Sequence, residues 1–169
     1  MIYAFGIDPG VTTGWACIGI PEDSIFGNAK GNVQYWQQGQ LDGPLSGQVL
    51  ELCGLVKRFY PIAVIVEDFE PRVTNRTSDF LSPVRVGAMI QFAIQIGRMA
   101  NATGPFWQMP GLAKSTATDE RLQKWGLYRS GQEHARDATR HAITFVRRAK
   151  ASESLRREAW AQAAAKATS

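Results

Sequence analysis

Cysteine is almost missing from this chain. Cys17 and Cys53 are all it has, too few for a disulfide framework and too far apart for a thiolate zinc site. That fits a reducing cytoplasm and leaves both residues as small core fillers. Long apolar runs are missing too: no window approaches bilayer-spanning length, and no basic start leads into an apolar leader. Membrane insertion and secretion are therefore not expected. Charge of either sign is in modest supply, with a formal net charge of +4, which permits an anionic partner without demanding one. What basic excess there is lies late. Arg140, Arg147, Arg148, Lys150, Arg156 and Arg157 face Glu153 alone over residues 140–157, while Glu67, Asp68 and Glu70 form a small acidic cluster.

What the chain does have is a short apolar start that stops on an acid. Ile2 to Ile7 reads as a strand, and Asp8 stands at its mouth before Pro9 and Gly10. Proline pushes the residue before it toward an extended conformation, so rigid backbone holds the carboxylate at the strand end. Val11 to Ile20 reads as the returning strand of a hairpin. Residues 21–31 read as an exposed loop and residues 32–40 as a third strand. Val49, Leu52, Cys53, Val56 and Phe59 recur at helical spacing over 45–60, and Pro61 stops that helix. The unbroken apolar run Ile62 to Val66 then predicts a central strand buried on both faces, and it too ends on an acid, Glu67. Helices are expected over 84–99, apolar around much of its circumference and so suited to a subunit interface, and over 114–125. A last helix begins at a Ser130/Glu133 capping box and runs to about residue 149. Three antiparallel strands followed by parallel ones, flanked by helices, make an α/β fold in one domain over residues 1–149. Residues 150–169 form a basic, alanine-rich tail or helix.

The two strand-end acids gain company from the last helix, where His134 and Asp137 lie one turn apart and His141 follows Asp137 by four. Each residue has an ordinary reading by itself. Asp8 suits a turn, Glu67 a first loop position, His134 a hydrogen-bonded histidine near the core, and Asp137 an intrahelical partner of Arg140 or His141. Glu133 is explained by the cap, and Trp15, Trp36, Trp107 and Trp125 by packing. If the two strands neighbour one another in parallel, however, their carboxylates share one sheet edge with the helix face above. Carboxylates so gathered repel unless a divalent cation neutralises them, and oxygen ligands with one imidazole suit magnesium or manganese. Two such ions can activate a water toward a phosphodiester, and the donor-rich stretch with Arg72 and Arg76 offers phosphate contacts.

Gly6-Ile7-Asp8-Pro9-Gly10 with Thr13-Gly14, Val64-Ile65-Val66-Glu67, and His134-Ala135-Arg136-Asp137-Ala138 together resemble, in order and spacing, the RuvC-type Holliday junction resolvases of the ribonuclease H-like superfamily. The resemblance covers about residues 2–149. It implies a ribonuclease H-like, five-stranded mixed sheet flanked by helices, a homodimer, and two Mg2+ or Mn2+ ions per site held by Asp8, Glu67, His134 and Asp137, with Asp8 bridging. It further implies an aromatic beside the opened junction, Phe69, one residue closer to the glutamate than is usual. Lysines near the scissile region would be Lys114 and, as a weaker match, Lys124; Arg140 joins them as a candidate DNA contact.

The chain departs from the pattern in three places. The loop after Lys114 lacks the glycine-containing basic pattern, Asp68 and Glu70 add negative charge, and residues 21–31 are idiosyncratic. These bear on junction selectivity and sequence preference more than on metal-dependent cleavage, and a bacteriophage member acting on several branched DNAs fits them. The expected activity is paired nicking of branched DNA, four-way junctions above all, leaving 5′-phosphate and 3′-hydroxyl ends. No organic cofactor and no membrane are expected, and the expected location is cytoplasmic. The alternatives are a flap or RNA-DNA hybrid nuclease and a branched-DNA-binding protein without catalysis. The chain is too short for the two lobes of an actin-like ATPase.

Overall fold

A computed structural model describes residues 1–27, 32–70 and 78–167. In chain order these form β1 (Ile2–Asp8), β2 (Thr13–Ile20), α1 (Asp23–Phe26), β3 (Tyr35–Leu41), α2 (Leu45–Val56), β4 (Ile62–Glu67), a 3-10 turn (Ser78–Leu81), α3 (Ser82–Gln95), β5 (Ala102–Gln108), α4 (Pro110–Thr116), α5 (Asp119–Lys124), α6 (Glu133–Ala151), α7 (Glu153–Ala159) and α8 (Ala161–Ala167). The five strands make one sheet in the order β3-β2-β1-β4-β5. β1, β2 and β3 pair antiparallel, whereas β1 with β4 and β4 with β5 pair parallel. This is the expected mixed α/β sheet.

Period-two alternation sorts each strand between two cores. Phe5, Ile7, Cys17, Val64 and Val66 face α2 and α3, where Leu52, Val56, Val86 and Ile90 are buried. Ala4, Ile18, Ala63 and Ile65 face the opposite way, toward Ala142, Phe145 and Trp160. The run Ile62 to Val66 is buried throughout, as a strand covered on both sides must be.

The α6 face of the sheet is graded from one end to the other. Registered partners set Trp36, Ile18, Ala4 and Ala63 in one row across the strands, and Gln38, Ala16, Gly6, Ile65 and Phe106 in the next. The row at the edge is Gln40, Gly14, Asp8, Glu67 and Gln108, with Asp8 and Glu67 brought together by carrying the Ile7–Val66 register one residue on. Glycine sits where the helix crosses. A Cβ on Gly6 would lie 2.0 Å from the carbonyl oxygen of Ala138, and one on Gly14 2.0 Å from that of His134. Ala135, Ala138 and Ala142 complete this small-on-small contact, so α6 rides close to β1 and β2.

Several local expectations are corrected. Residue Gln132, not Ser130, precedes the first turn of α6, and no side chain caps it there. Gly131, at φ 76°, turns the chain between the two. Gln40 substitutes from β3, its Oε1 accepting the His134 backbone N–H at 3.1 Å. The helix expected over 114–125 is two helices. Ala117 breaks it, and Thr118 opens α5 by accepting the Arg121 N–H, with Asp119 and Glu120 in the first turn. The stretch at 21–31 begins with the short helix α1, which buries Ile25. The C-terminal segment, expected as a tail or a helix, carries α7 and α8: Trp160, buried between them, stacks edge-on against Phe145 and donates its indole N–H to the Tyr3 carbonyl at 2.9 Å.

Candidate active site

Each carboxylate at the polar edge of the sheet meets a cation or an imidazole from above. Asp8 ends β1 almost fully buried, and its Oδ2 lies 2.7 Å from His134 Nδ1. Burial is the largest influence on this carboxyl and lifts it above its ordinary 3.8. The His134 hydrogen bond opposes that rise, and the charges of Glu67 and Asp137 add to it. His134 is raised above its ordinary 6.5, first by the Asp8 hydrogen bond against the opposing effect of burial, then by the charges of Asp8, Asp137 and Glu133.

Glu67 ends β4, and its Oε2 lies 2.7 Å from Nε2 of His141, a residue with 1% of its side chain exposed. Gln108 of β5, register partner of Glu67, places its amide nitrogen 3.0 Å from His141 Nδ1 and 3.3 Å from the His141 carbonyl. Asp137 is held by Lys114 Nζ at 3.1 Å and by the guanidinium of Arg140. A depression of about 460 Å³ opens beside Asp137, lined by Lys114, Thr118, Asp119, Arg136 and Arg140 among others.

The structure thus gathers Asp8, Glu67, His134 and Asp137 at one edge, close enough that both other carboxylates act on Asp8. Lys114, half-exposed in the last turn of α4, joins them. Phe69 lies two residues beyond Glu67, its ring edge-on to Phe80 at 5.2 Å. Arg140 is turned inward: besides Asp137 it binds the Asp119 carboxylate and the Ala117 carbonyl. Lys124 lies elsewhere, in a second depression with Trp125, Arg147 and Lys150. Arg72 and Arg76 lie outside the described residues.

Residues that sequence reasoning passed over complete the edge. Gln40 and Gln108 close the polar row, and Thr139 on α6 donates to Gln38 on β3 at 2.8 Å. A polar residue ending an otherwise apolar strand is the signal Gln108 shares with Asp8 and Glu67, but an amide there reads as surface. His141 was visible as a neighbour of Asp137; its partner on β4 was not.

Among the described residues no group of three or more His, Cys, Asp or Glu side chains stands ready-made for a metal ion. The donor chemistry nevertheless fits a hard divalent cation. Three carboxylates, Asp8, Glu67 and Asp137, supply hard oxygen donors near one another, and one imidazole, His134, stands at the open side. The carboxylate oxygens of Asp8, Glu67 and Asp137 are paired with His134, His141, Lys114 and Arg140.

Sheet order, strand directions and the helix laid over the central strands make a five-stranded mixed sheet flanked by helices, an arrangement similar to that of RuvC. T. thermophilus RuvC in complex with a Holliday junction substrate is similar in structure, with a TM-score of 0.61 and 17% identity over 86% of this chain and 92% of that one. A further T. thermophilus RuvC structure matches with a TM-score of 0.59 and 18% identity, covering 85% of this chain and 92% of that chain. At such identities the likeness is one of fold. No protein-family model and no curated protein sequence matches the chain.

Proposed function

We propose that this protein is a divalent-metal-dependent endodeoxyribonuclease that nicks branched DNA, four-way junctions above all, as a homodimer whose two sites cut opposing strands. The observation that carries this reading is the edge row itself: Asp8 and Glu67 side by side on parallel strands, beneath His134 and Asp137 on a helix that glycines hold close. The RuvC fold, and the Holliday junction held by the T. thermophilus protein, support the substrate class. Asp8, Glu67, Asp137 and His134 would hold Mg2+ or Mn2+, and such a pair of ions lowers the pKa of a water for in-line attack and stabilises the leaving oxygen.

The remaining parts belong to the chain. Buried Asp8 supplies a fixed central carboxylate, and half-exposed His134 stands on its solvent side. Lys114 brings positive charge to the phosphate side, and Phe69, backed by Phe80, offers a face on which an unpaired base can stack. Val84, Phe92 and Ile96, exposed on or next to α3, support the homodimer. Among the described residues no helix is long and apolar enough to cross a membrane.

One observation favours a second reading. Each carboxylate already has a cation or imidazole partner, which would suit a protein that binds branched DNA without cutting it. A panel of four-way junction, flap, duplex and RNA-DNA hybrid substrates, with Mg2+ and with Mn2+, tests both. Paired nicks in the junction are expected. Preference for flap or hybrid would place the chain with another nuclease type, and binding without cleavage under either metal would favour the second reading.

A further inference from the structure

His141 is buried, belongs to no part of the mechanism above, and touches the site at one atom of Glu67. Its surroundings fix its protonation pattern. The Gln108 amide group sits between His141 Nδ1 and the His141 carbonyl oxygen. A carbonyl oxygen only accepts, so the Gln108 atom facing it is the NH2 group, and the same group donates to Nδ1. Turning the amide over would set two oxygens against each other. Nδ1 is therefore a lone-pair acceptor, and the ring proton resides on Nε2, which donates to Glu67 Oε2 at 2.7 Å. The arrangement follows from the sheet. Glu67 and Gln108 are register partners on β4 and β5, and α6 lays His141 over both.

We propose that His141 is the positioning residue for Glu67: Gln108 locks it as the Nε2–H tautomer, and its donated proton occupies Oε2 so that Oε1 is the oxygen left to the site. The proposal rests on Glu67 belonging to the active site, but the placement can be read without any reaction. Outer partners that orient ligating carboxylates typically matter by about ten- to a hundredfold in metal affinity or activity.

The test uses the full chain with its histidines 15N-labelled and divalent ions removed. Long-range proton–nitrogen spectra should show the neutral ring of His141 as the Nε2–H tautomer. A neutral ring carrying its proton on Nδ1 would overturn the Gln108 lock. The second arm compares H141L, which cannot donate, with H141Q, whose amide reaches the Nε2 position. In H141L the side-chain carboxyl 13C signal of Glu67 should shift and junction nicking should fall by about ten- to a hundredfold in kcat, with KM for DNA unchanged. H141Q should restore most of both. An unmoved Glu67 signal in H141L, or equal losses in H141L and H141Q that track their melting temperatures, would contradict positioning. If the wild type itself cut nothing, the spectra would still decide the placement, so failure of the nuclease reading and failure of this one remain separate.

Discussion

Two imidazole–carboxylate pairs of the same length, 2.7 Å, hang from the same helix seven residues apart, and they are built in opposite senses. In the Asp8–His134 pair the carboxylate is the buried member, at 10% side-chain exposure, and the imidazole is 48% exposed. In the Glu67–His141 pair the imidazole is sealed in and the carboxylate is the more open member at 19%. A strand end fixes Asp8, whose partner reaches solvent; a helix and Gln108 fix His141, which then fixes Glu67. The first pair faces solvent through its imidazole and the second through its carboxylate.

The most disruptive way to break this comparison is to lift the helix off both pairs at once. G14A or G6A sets a Cβ 2.0 Å from a backbone oxygen of α6, an overlap no side-chain rotation relieves. Each should cost about 1–3 kcal/mol or more in urea unfolding and abolish nicking in whatever folded protein remains. A stability unchanged from wild type would show that α6 does not approach as closely as described.

A smaller effect should separate the pairs. H141L leaves the Glu67 carboxylate and the Gln108 amide without their partner in a buried place, for a loss of about 1–3 kcal/mol. H134A takes the partner from a carboxylate that is itself nearly fully buried, so it too should cost about 1–3 kcal/mol, while impairing nicking severely. What separates the two variants is Glu67: its side-chain carboxyl 13C signal should move in H141L and stay in place in H134A, and an equal movement in both would erase the distinction between the pairs.

The smallest effect is one of pH. Asp8 is raised in the folded state, so folded protein binds more protons than unfolded chain above the ordinary 3.8, and stability falls as pH rises through that interval. His134 is raised as well: its contribution is fully present below 6.5 and is lost as pH rises through its folded value. Both slopes have the same sign. Metal-free D8N, lacking both, should therefore gain in melting temperature relative to wild type as pH climbs, and its His134 should titrate closer to 6.5 in NMR. A relative stability that fell with pH would reverse the signs argued here.

How much of this could be read beforehand differs residue by residue. Asp8 and Glu67 were legible because an apolar run that ends on an acid marks a strand end, and the sheet lay as that pattern implied. His134 and Asp137 were legible through helical spacing, and the intrahelical Asp137–Arg140 pair weighed for them is present. Partners across the sheet were not legible. Gln40 capping α6 and Gln108 holding His141 depend on register between distant strands, which local pattern does not encode. The Ser130/Glu133 motif does not cap because a left-handed Gly131 intervenes, and no local pattern marks Trp160, whose partner, the Tyr3 carbonyl, lies at the other end of the chain.

The most direct measurement is Mg2+- or Mn2+-dependent nicking of a four-way junction by wild type and by D8N, with junction binding recorded alongside. Asparagine keeps the size of Asp8 and removes its charge. Wild type should make paired nicks and D8N none, while both bind the junction; metal-dependent nicking retained by pure D8N would contradict Asp8 as a ligand of the catalytic ions.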